Sequence, residues 1–253
     1  MRLKLISCEI FYREMCHAVA SSPNLIDIEF LPKGLHDIGS APMLQRVQQT
    51  LDKVDESLYD AVIFGYGLCN NGLTGLRART IPVVLPRAHD CITLFLGNKE
   101  RYLDYFNSHL GTYFKTSGWI ERGEASGELS QLSIQRQIGM DKSYDELVAK
   151  YGEDNAQYLY ETLYGYKNYS QLTYIEMGIE PGDIFEQRTI NEAAEKGWGY
   201  EKIQGDMSLI QRLVDGYWDE REFLIVKPGQ YVNTTFGADI IRADQIEVVN
   251  RPK

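Results

Sequence analysis

Short apolar segments alternate with helical patterns along the first hundred residues. The apolar segments are rich in β-branched and aliphatic side chains, as in strands buried on both faces of a parallel sheet. Strands are predicted at residues 3–7, 25–31, 59–64 and 81–85. Between them, apolar positions recur at helical spacing in residues 9–20 and 42–54. This βαβα order predicts a doubly wound, mainly parallel α/β sheet.

The same rhythm returns in the C-terminal part of the chain. Strands are predicted there at residues 172–177, 200–204 and 223–226, and helices at 183–196 and 207–217. Residues 126–168 differ, because they are polar and tyrosine-rich, with helical periodicity at 143–151 and 154–164. We interpret them as a helical insertion that forms a lid or an interface. We therefore expect two Rossmann-like halves, residues 1–125 and 169–253, on either side of this insertion.

Three of the four cysteines follow predicted strands. Cys8, Cys69 and Cys91 each come after an apolar run that gives way to polar residues. Because ligands bind at the carboxyl ends of parallel strands, we expect the three thiols to converge there. They form no CxxC motif, so this expectation depends on context, and unrelated packing is the alternative. Cys16 occupies an apolar position of a predicted helix and is expected only to pack.

Three converging thiolates predict a metal site. They suit a [4Fe-4S] cluster with one open iron, or a zinc ion with an open position. His89 as a fourth ligand would instead close a tetrahedral zinc site, although its position two residues before Cys91 favours contact with substrate. A helix beginning at Asp90 would direct its positive end at Cys91 and favour the thiolate.

Polar residues beside the cysteines are the candidates for the chemistry. Glu9, Arg87 and His89 are predicted to be catalytic. The alternatives are that Glu9 caps a helix, as Asp90 could, and that Arg87 forms a surface ion pair. The predicted substrate pocket contains Tyr66, Asn70, Asn71, Asp90, Tyr113 and Trp119. Tyr113 and Trp119 fall in residues 111–123, which are predicted to form a strand at a sheet edge or at the rim of the site.

Composition narrows the class of protein. A net charge of -10, with scattered Lys and Arg, argues against a nucleic-acid partner. No apolar run approaches the roughly 20 residues of a membrane span, and the N-terminus lacks an apolar stretch of signal-peptide length. We therefore expect a cytoplasmic protein with a small-molecule substrate and no membrane partner. In a reducing compartment, its cysteines are expected to pack, bind metal or react, and not to form disulfides.

Several motifs together resemble a known family. They are GYGLCNNG, PRAHDC followed by LFLG, GTYFKTSGWIE and DGYWDEREFLIVKPGQ, together with the early strand that ends in Cys8. From about residue 3 to about residue 230, the chain resembles the family called domain of unknown function 1638, of anaerobic bacteria and methanogenic archaea. The resemblance implies an anaerobic setting. Because some members occur near corrinoid methyltransferase genes, it also implies a corrinoid or methyltransferase protein as partner.

Three functions remain open on the sequence. The first is a metal-dependent enzyme of anaerobic metabolism, lyase-like or desulfidase-like, in which the open iron of a [4Fe-4S] cluster binds and activates a small substrate. The second is a thiolate-zinc methyltransferase or another corrinoid-associated one-carbon protein. The third is a non-catalytic accessory protein with a structural metal. The sequence favours the first, and it does not specify the substrate or whether the protein forms a homo-oligomer.

Overall fold

Strands and helices alternate along the chain, each apolar strand being followed by an amphipathic helix or a tight turn. The computed structural model describes residues 1–122, 129, 132, 144–153, 155–156 and 169–246. Its strands are β1 (Arg2–Cys8), β2 (Leu25–Leu31), β3 (Ala61–Gly65), β4 (Val83–Pro86), β5 (Thr112–Lys115), β6 (Gln171–Glu176), β7 (Gly199–Gln204), β8 (Phe223–Val226), β9 (Gln230–Thr234) and β10 (Ile241–Gln245). Its helices are α1 (Tyr12–Ser21), α2 (Ser40–Asp52), α3 (Cys91–Leu96), α4 (Lys99–Ser108), α5 (Ser117–Glu121), α6 (Tyr144–Tyr151), α7 (Ile184–Lys196) and α8 (Ser208–Asp215).

The first sheet has five strands in the order β2-β1-β3-β4-β8. The first four are parallel, and β8 pairs with β4 in the antiparallel direction. Every residue of β3 and β4 is buried, as expected for strands covered on both faces. The predicted mainly parallel α/β architecture is therefore confirmed, and β1, β3 and β4 are neighbours in this sheet.

The second sheet has three parallel strands in the order β5-β6-β7. Its edge strand β5 comes from the predicted N-terminal half, whereas β8 of the predicted C-terminal half completes the first sheet. The two halves thus exchange strands. The antiparallel hairpin β9-β10 follows, and the sequence pattern did not predict it. Among the described residues, no helix has both the length and the apolar character needed to cross a membrane.

Two local predictions were wrong, and one falls mainly outside the described residues. The strand predicted over residues 111–123 is only four residues long, because Thr116 caps α5 by accepting a hydrogen bond from the Trp119 amide at 3.3 Å. After Cys69, the Gly-rich run NNGLTGL predicts a tight turn leading into a short helix, but the structure has only turns there. Within the predicted insertion, α6 is helical as expected. The predicted helix at 154–164, and most of the predicted lid or interface over residues 126–168, lie outside the described residues.

One carboxyl group lies inside the core. Glu14 of α1 is fully buried, and neither carboxylate oxygen has a hydrogen-bond partner in the described part of the chain. Burial, with a smaller contribution from the negative charge of Glu180, raises the pKa of Glu14 to about 7. The folded protein therefore favours the neutral acid below about pH 7.

We expect Glu14 to make the protein less stable as the pH rises. The carboxyl pKa is higher in the folded chain than the ordinary 4.5, so the native state binds more protons than the unfolded state between pH 4.5 and 7. Stability therefore falls through this window and levels off above it, by about 3 kcal/mol at most. Glu14→Gln should remove most of this slope in urea unfolding at pH 4, 5.5 and 8.

The exposed Glu195→Gln is the matched control, and it should keep the slope of the natural protein. Equal slopes in the Glu14→Gln variant and the natural protein would show that Glu14 does not titrate in this way.

A second prediction concerns the close packing of α5. A Cβ atom at Gly118 would lie 1.6 Å from the carbonyl oxygen of Ile10, so only glycine fits. Gly118→Ala should push α5 away from the segment before α1 and lower the free energy of unfolding by about 1–3 kcal/mol. Gly237→Ala is the control, because a Cβ at Gly237 meets no atom within 4 Å. Equal unfolding midpoints for the two variants in urea would refute this account of the packing.

Candidate functional site

A cavity lies at the carboxyl edge of the first sheet and is lined by three thiols. Cys8 ends β1, Cys69 lies in the loop after β3, and Cys91 begins α3 after β4. Because β1, β3 and β4 are parallel, their carboxyl ends meet at one edge. The three cysteines are only 7–8% exposed. Cys16 of α1 does not line this cavity.

Backbone hydrogen bonds hold the loops of Cys69 and Cys91 together. The Leu68 amide donates to the Ala88 carbonyl at 2.8 Å, and the Cys69 amide donates to the His89 carbonyl at 3.0 Å. A Cβ atom at Gly67 would lie 2.5 Å from the Asp90 backbone, so glycine is needed for this approach. The two thiols are therefore positioned by one connected backbone unit.

Polar side chains without partners also face this cavity. Tyr66 and Trp119 line it, and within the described residues neither the Tyr66 hydroxyl nor the Trp119 Nε1 has a hydrogen-bond partner. The Trp119 indole N–H lies close enough to Cys91 to favour its thiolate, without ordinary hydrogen-bond geometry. A buried donor left unpaired costs about 1–3 kcal/mol. Both groups therefore suit an occupant that offers hydrogen-bond acceptors.

Burial dominates the acidity of the three thiols. It raises the pKa of Cys8 to about 12, and it raises the pKa values of Cys69 and Cys91 further. Negative charge on one thiol also raises the pKa of the others, which indicates that they lie near one another. Burial therefore outweighs the lowering of the Cys91 pKa that was expected from the start of α3.

The side chains that line the cavity can be compared with the ligands that a metal ion requires. Within the part of the chain that the structure describes, no group of three or more His, Cys, Asp or Glu side chains is placed to hold a metal ion. The three thiols line a common cavity without forming a site assembled for a single ion. Their soft sulfur chemistry still fits zinc or an iron-sulfur cluster.

The three residues predicted to be catalytic do not line the cavity. His89 is exposed, and only its carbonyl takes part in holding the loops. The Arg87 guanidinium donates to the carbonyls of Glu220 at 2.7 Å and Asp239 at 2.9 Å, which ties the C-terminal part to the first sheet. Glu9 does not cap the helix that follows it. Its carboxylate accepts the amide of Lys33 at 2.8 Å, at the start of the helical turn Lys33–Ile38.

The predicted substrate-pocket residues divide into two groups. Tyr66 and Trp119 line the cavity, and the other four do not. Asn70 and Asn71 are exposed, with left-handed backbone angles. Asp90 caps α3 and accepts the Tyr102 hydroxyl at 2.9 Å. Tyr113 lies on β5, where its ring packs edge-on against Tyr169.

Two cavity residues, Lys33 and His36, were missed by the sequence analysis. They come from the helical turn Lys33–Ile38 directly after β2. The Lys33 ammonium lies 4.5 Å from the centre of the Trp119 ring, and His36 packs edge-on against the same ring at 6.3 Å. The one available signal was their place after β2, since the end of β2 lies at the same sheet edge as the cysteines.

These features define an α/β protein with a cysteine-lined cavity at the carboxyl edge of a mainly parallel sheet. The chain belongs to the family described as "Protein of unknown function (DUF1638)", whose sequence model matches residues 30–214. This match confirms the resemblance seen in the sequence motifs. It includes Cys69, Cys91 and Trp119 and begins after Cys8. No curated protein and no solved structure matches the chain.

The role of Asp90 as a cap leads to a test. Its Oδ1 accepts the Ile92 amide at 3.0 Å, and its Oδ2 accepts the Tyr102 hydroxyl. Asp90→Ala should lower the free energy of unfolding by about 1–2 kcal/mol, because a capping acceptor is lost. Asp90→Asn retains an acceptor and should lose less than half as much. If urea unfolding gave equal losses for both variants, the charge of Asp90 and not its capping would matter.

Proposed function

We propose that Cys8, Cys69 and Cys91 hold a [4Fe-4S] cluster, and that the protein is a metal-dependent enzyme acting on a small molecule in anaerobic metabolism. The observation that carries this proposal is that three cysteines at the ends of adjacent parallel strands line one cavity, whereas Cys16 does not. When bound, such a cluster would offer one iron without a protein ligand, which can bind and polarise a substrate.

The unpaired donors in the cavity favour a cluster over a single ion. The Tyr66 hydroxyl and the Trp119 indole N–H are buried and lack partners among the described residues. Hydrogen bonds to cluster sulfurs would satisfy both donors and are a known influence on cluster potentials. A zinc ion brings no acceptor of its own. In this proposal, Tyr66 and Trp119 stabilise and orient the cluster.

The walls of the cavity are apolar, which favours chemistry from which water is excluded. Apolar side chains of Ile10, Phe11, Leu35 and Met43 surround the thiols, and all four residues are nearly or fully buried. An apolar wall strengthens electrostatic contacts with a bound group and limits the approach of solvent.

The test is metal and sulfide analysis after anaerobic purification. We expect about four iron and about four acid-labile sulfide per chain, with broad absorption near about 400 nm. Cys8→Ala, Cys69→Ala and Cys91→Ala should each lower the iron content several-fold, because each removes a ligand. Cys16→Ala is the matched control and should retain the iron of the natural protein. Circular dichroism of each variant separates loss of iron from loss of fold.

Other outcomes separate the alternatives. About one zinc per chain without sulfide would replace the proposal with a thiolate-zinc protein, including a methyltransferase of one-carbon metabolism. A protein that stays metal-free after anaerobic reconstitution, with unchanged stability, would support an accessory role. If Cys16→Ala lost its iron and Cys8→Ala kept it, the proposed set of cluster ligands would be wrong.

A further inference from the structure

The cysteine cavity is closed in the structure. The space between its walls is about 20 Å³, which is room for about one water molecule, and the three thiols that line it are only 7–8% exposed. Neither the proposed cluster nor a small substrate fits this space as it stands, so part of the wall must move. We propose that α5 is a gate, which moves away from the thiols to admit a ligand and closes over it with Trp119. That this ligand is a cluster or its substrate rests on the proposed function.

The wall formed by α5 belongs to a different part of the fold from the thiols. Thr116, the cap of α5, follows β5 directly, so α5 is carried by the second sheet. The three thiols are carried by the first sheet. Backbone hydrogen bonds tie the loops of Cys69 and Cys91 to each other, but in the described residues none links α5 to the first sheet or to these loops. A small shift between the sheets therefore moves Trp119 relative to the thiols.

Ion pairs near the surface hold α5 closed. The Arg13 guanidinium of α1 donates to both carboxylate oxygens of Glu121, with Nε 2.9 Å from Oε2. Arg122, directly after α5, lies 3.8 Å from the Glu9 carboxylate and 5.0 Å from the centre of the Tyr12 ring. The charged side chains of these two pairs are 23–39% exposed. Ion pairs that solvent reaches contribute little to stability, so breaking them requires little free energy.

The inner side of α5 gains little from the closed position. Its buried residues are Ser117 and Gly118, which are too small to bury much apolar area. The Ser117 hydroxyl and the Trp119 Nε1 are buried without a hydrogen-bond partner in the described part of the chain. Opening exposes both groups to water, which offsets part of the apolar contact that the Trp119 ring loses. The closed position is therefore only weakly favoured over an open one, as a gate requires.

The test measures how fast the cavity thiols react in the full-length, metal-free protein. Iodoacetamide is added under anaerobic conditions, and mass spectrometry of peptides gives separate rates for Cys8, Cys69 and Cys91. Arg13→Gln and Glu121→Gln should each raise these rates about twofold to fivefold, because each breaks the ion pair that holds α5. The two variants change the net charge in opposite directions, so a rise in both cannot come from charge alone. The double variant should react no faster than either single variant.

Arg212→Gln is the matched control. Arg212 donates to both carboxylate oxygens of Glu222 at 2.7 Å, and the two side chains are 32% and 30% exposed. Neither residue lines the cavity, so this variant should leave the thiol rates unchanged. Dilute urea is a second control. Opening of α5 exposes little surface, so the rates should stay constant, whereas reaction through global unfolding would rise at least about fivefold per molar urea.

Unchanged thiol rates in both Arg13→Gln and Glu121→Gln would overturn the proposal. An equal rise in Arg212→Gln would overturn it too, as would the steep urea dependence of reaction through global unfolding. Because the protein carries no metal in this experiment, these outcomes are independent of the iron and sulfide analysis. A protein could hold the cluster and show no gate, and a gate could be found in a protein that binds no iron. The two proposals can therefore fail separately.

Discussion

The parallel alignment of β1, β3 and β4 is the constraint on which the cavity depends. Hydrogen bonding pairs Ser7 with Gly65 and Ile63 with Val84, so all three strands end at the same edge. Cys8 is the last residue of β1, Cys69 lies in the loop after β3, and Cys91 begins α3 after β4. Burial of these strands on both faces makes that edge rigid. The thiols therefore take their positions from the most deeply packed part of the molecule, which suits a site that must hold its geometry.

The cavity at this rigid edge lowers the stability of the metal-free protein. Three buried thiols, a buried tyrosine hydroxyl and a buried indole N–H face one space with few partners. Such groups stabilise a protein mainly when something occupies the space between them, since unpaired buried polar atoms lower stability. Stability and ligand binding are thus linked, and a bound group would favour the native state in proportion to its affinity.

The sequence predicted the structure correctly where the hydrophobic pattern of the chain follows from burial of the strands in the sheet. Apolar strand runs predicted a mainly parallel sheet, and the cysteines that follow three of them predicted three of the side chains that line its edge. It failed for Lys33 and His36, because a turn such as Lys33–Ile38 has no periodicity that shows which way its side chains point. His89 was predicted to act at the cavity but does not line it. Its closeness to Cys91 in sequence does not fix which side of the loop faces the cavity. The hairpin β9-β10 was missed because its short strands carry many polar residues.

The antiparallel strand β8 is synthesised late, so the first sheet is completed late. It pairs with β4 and completes the sheet that bears the three cysteines, although it lies more than one hundred residues further along the chain. While the ribosome is still making the second sheet, β4 has an uncovered edge, which is a surface prone to pairing with other chains. The sheet beneath the cavity is therefore complete only after residue 226 has left the ribosome. Any metal centre would therefore have a complete sheet beneath it only once β8 has been made.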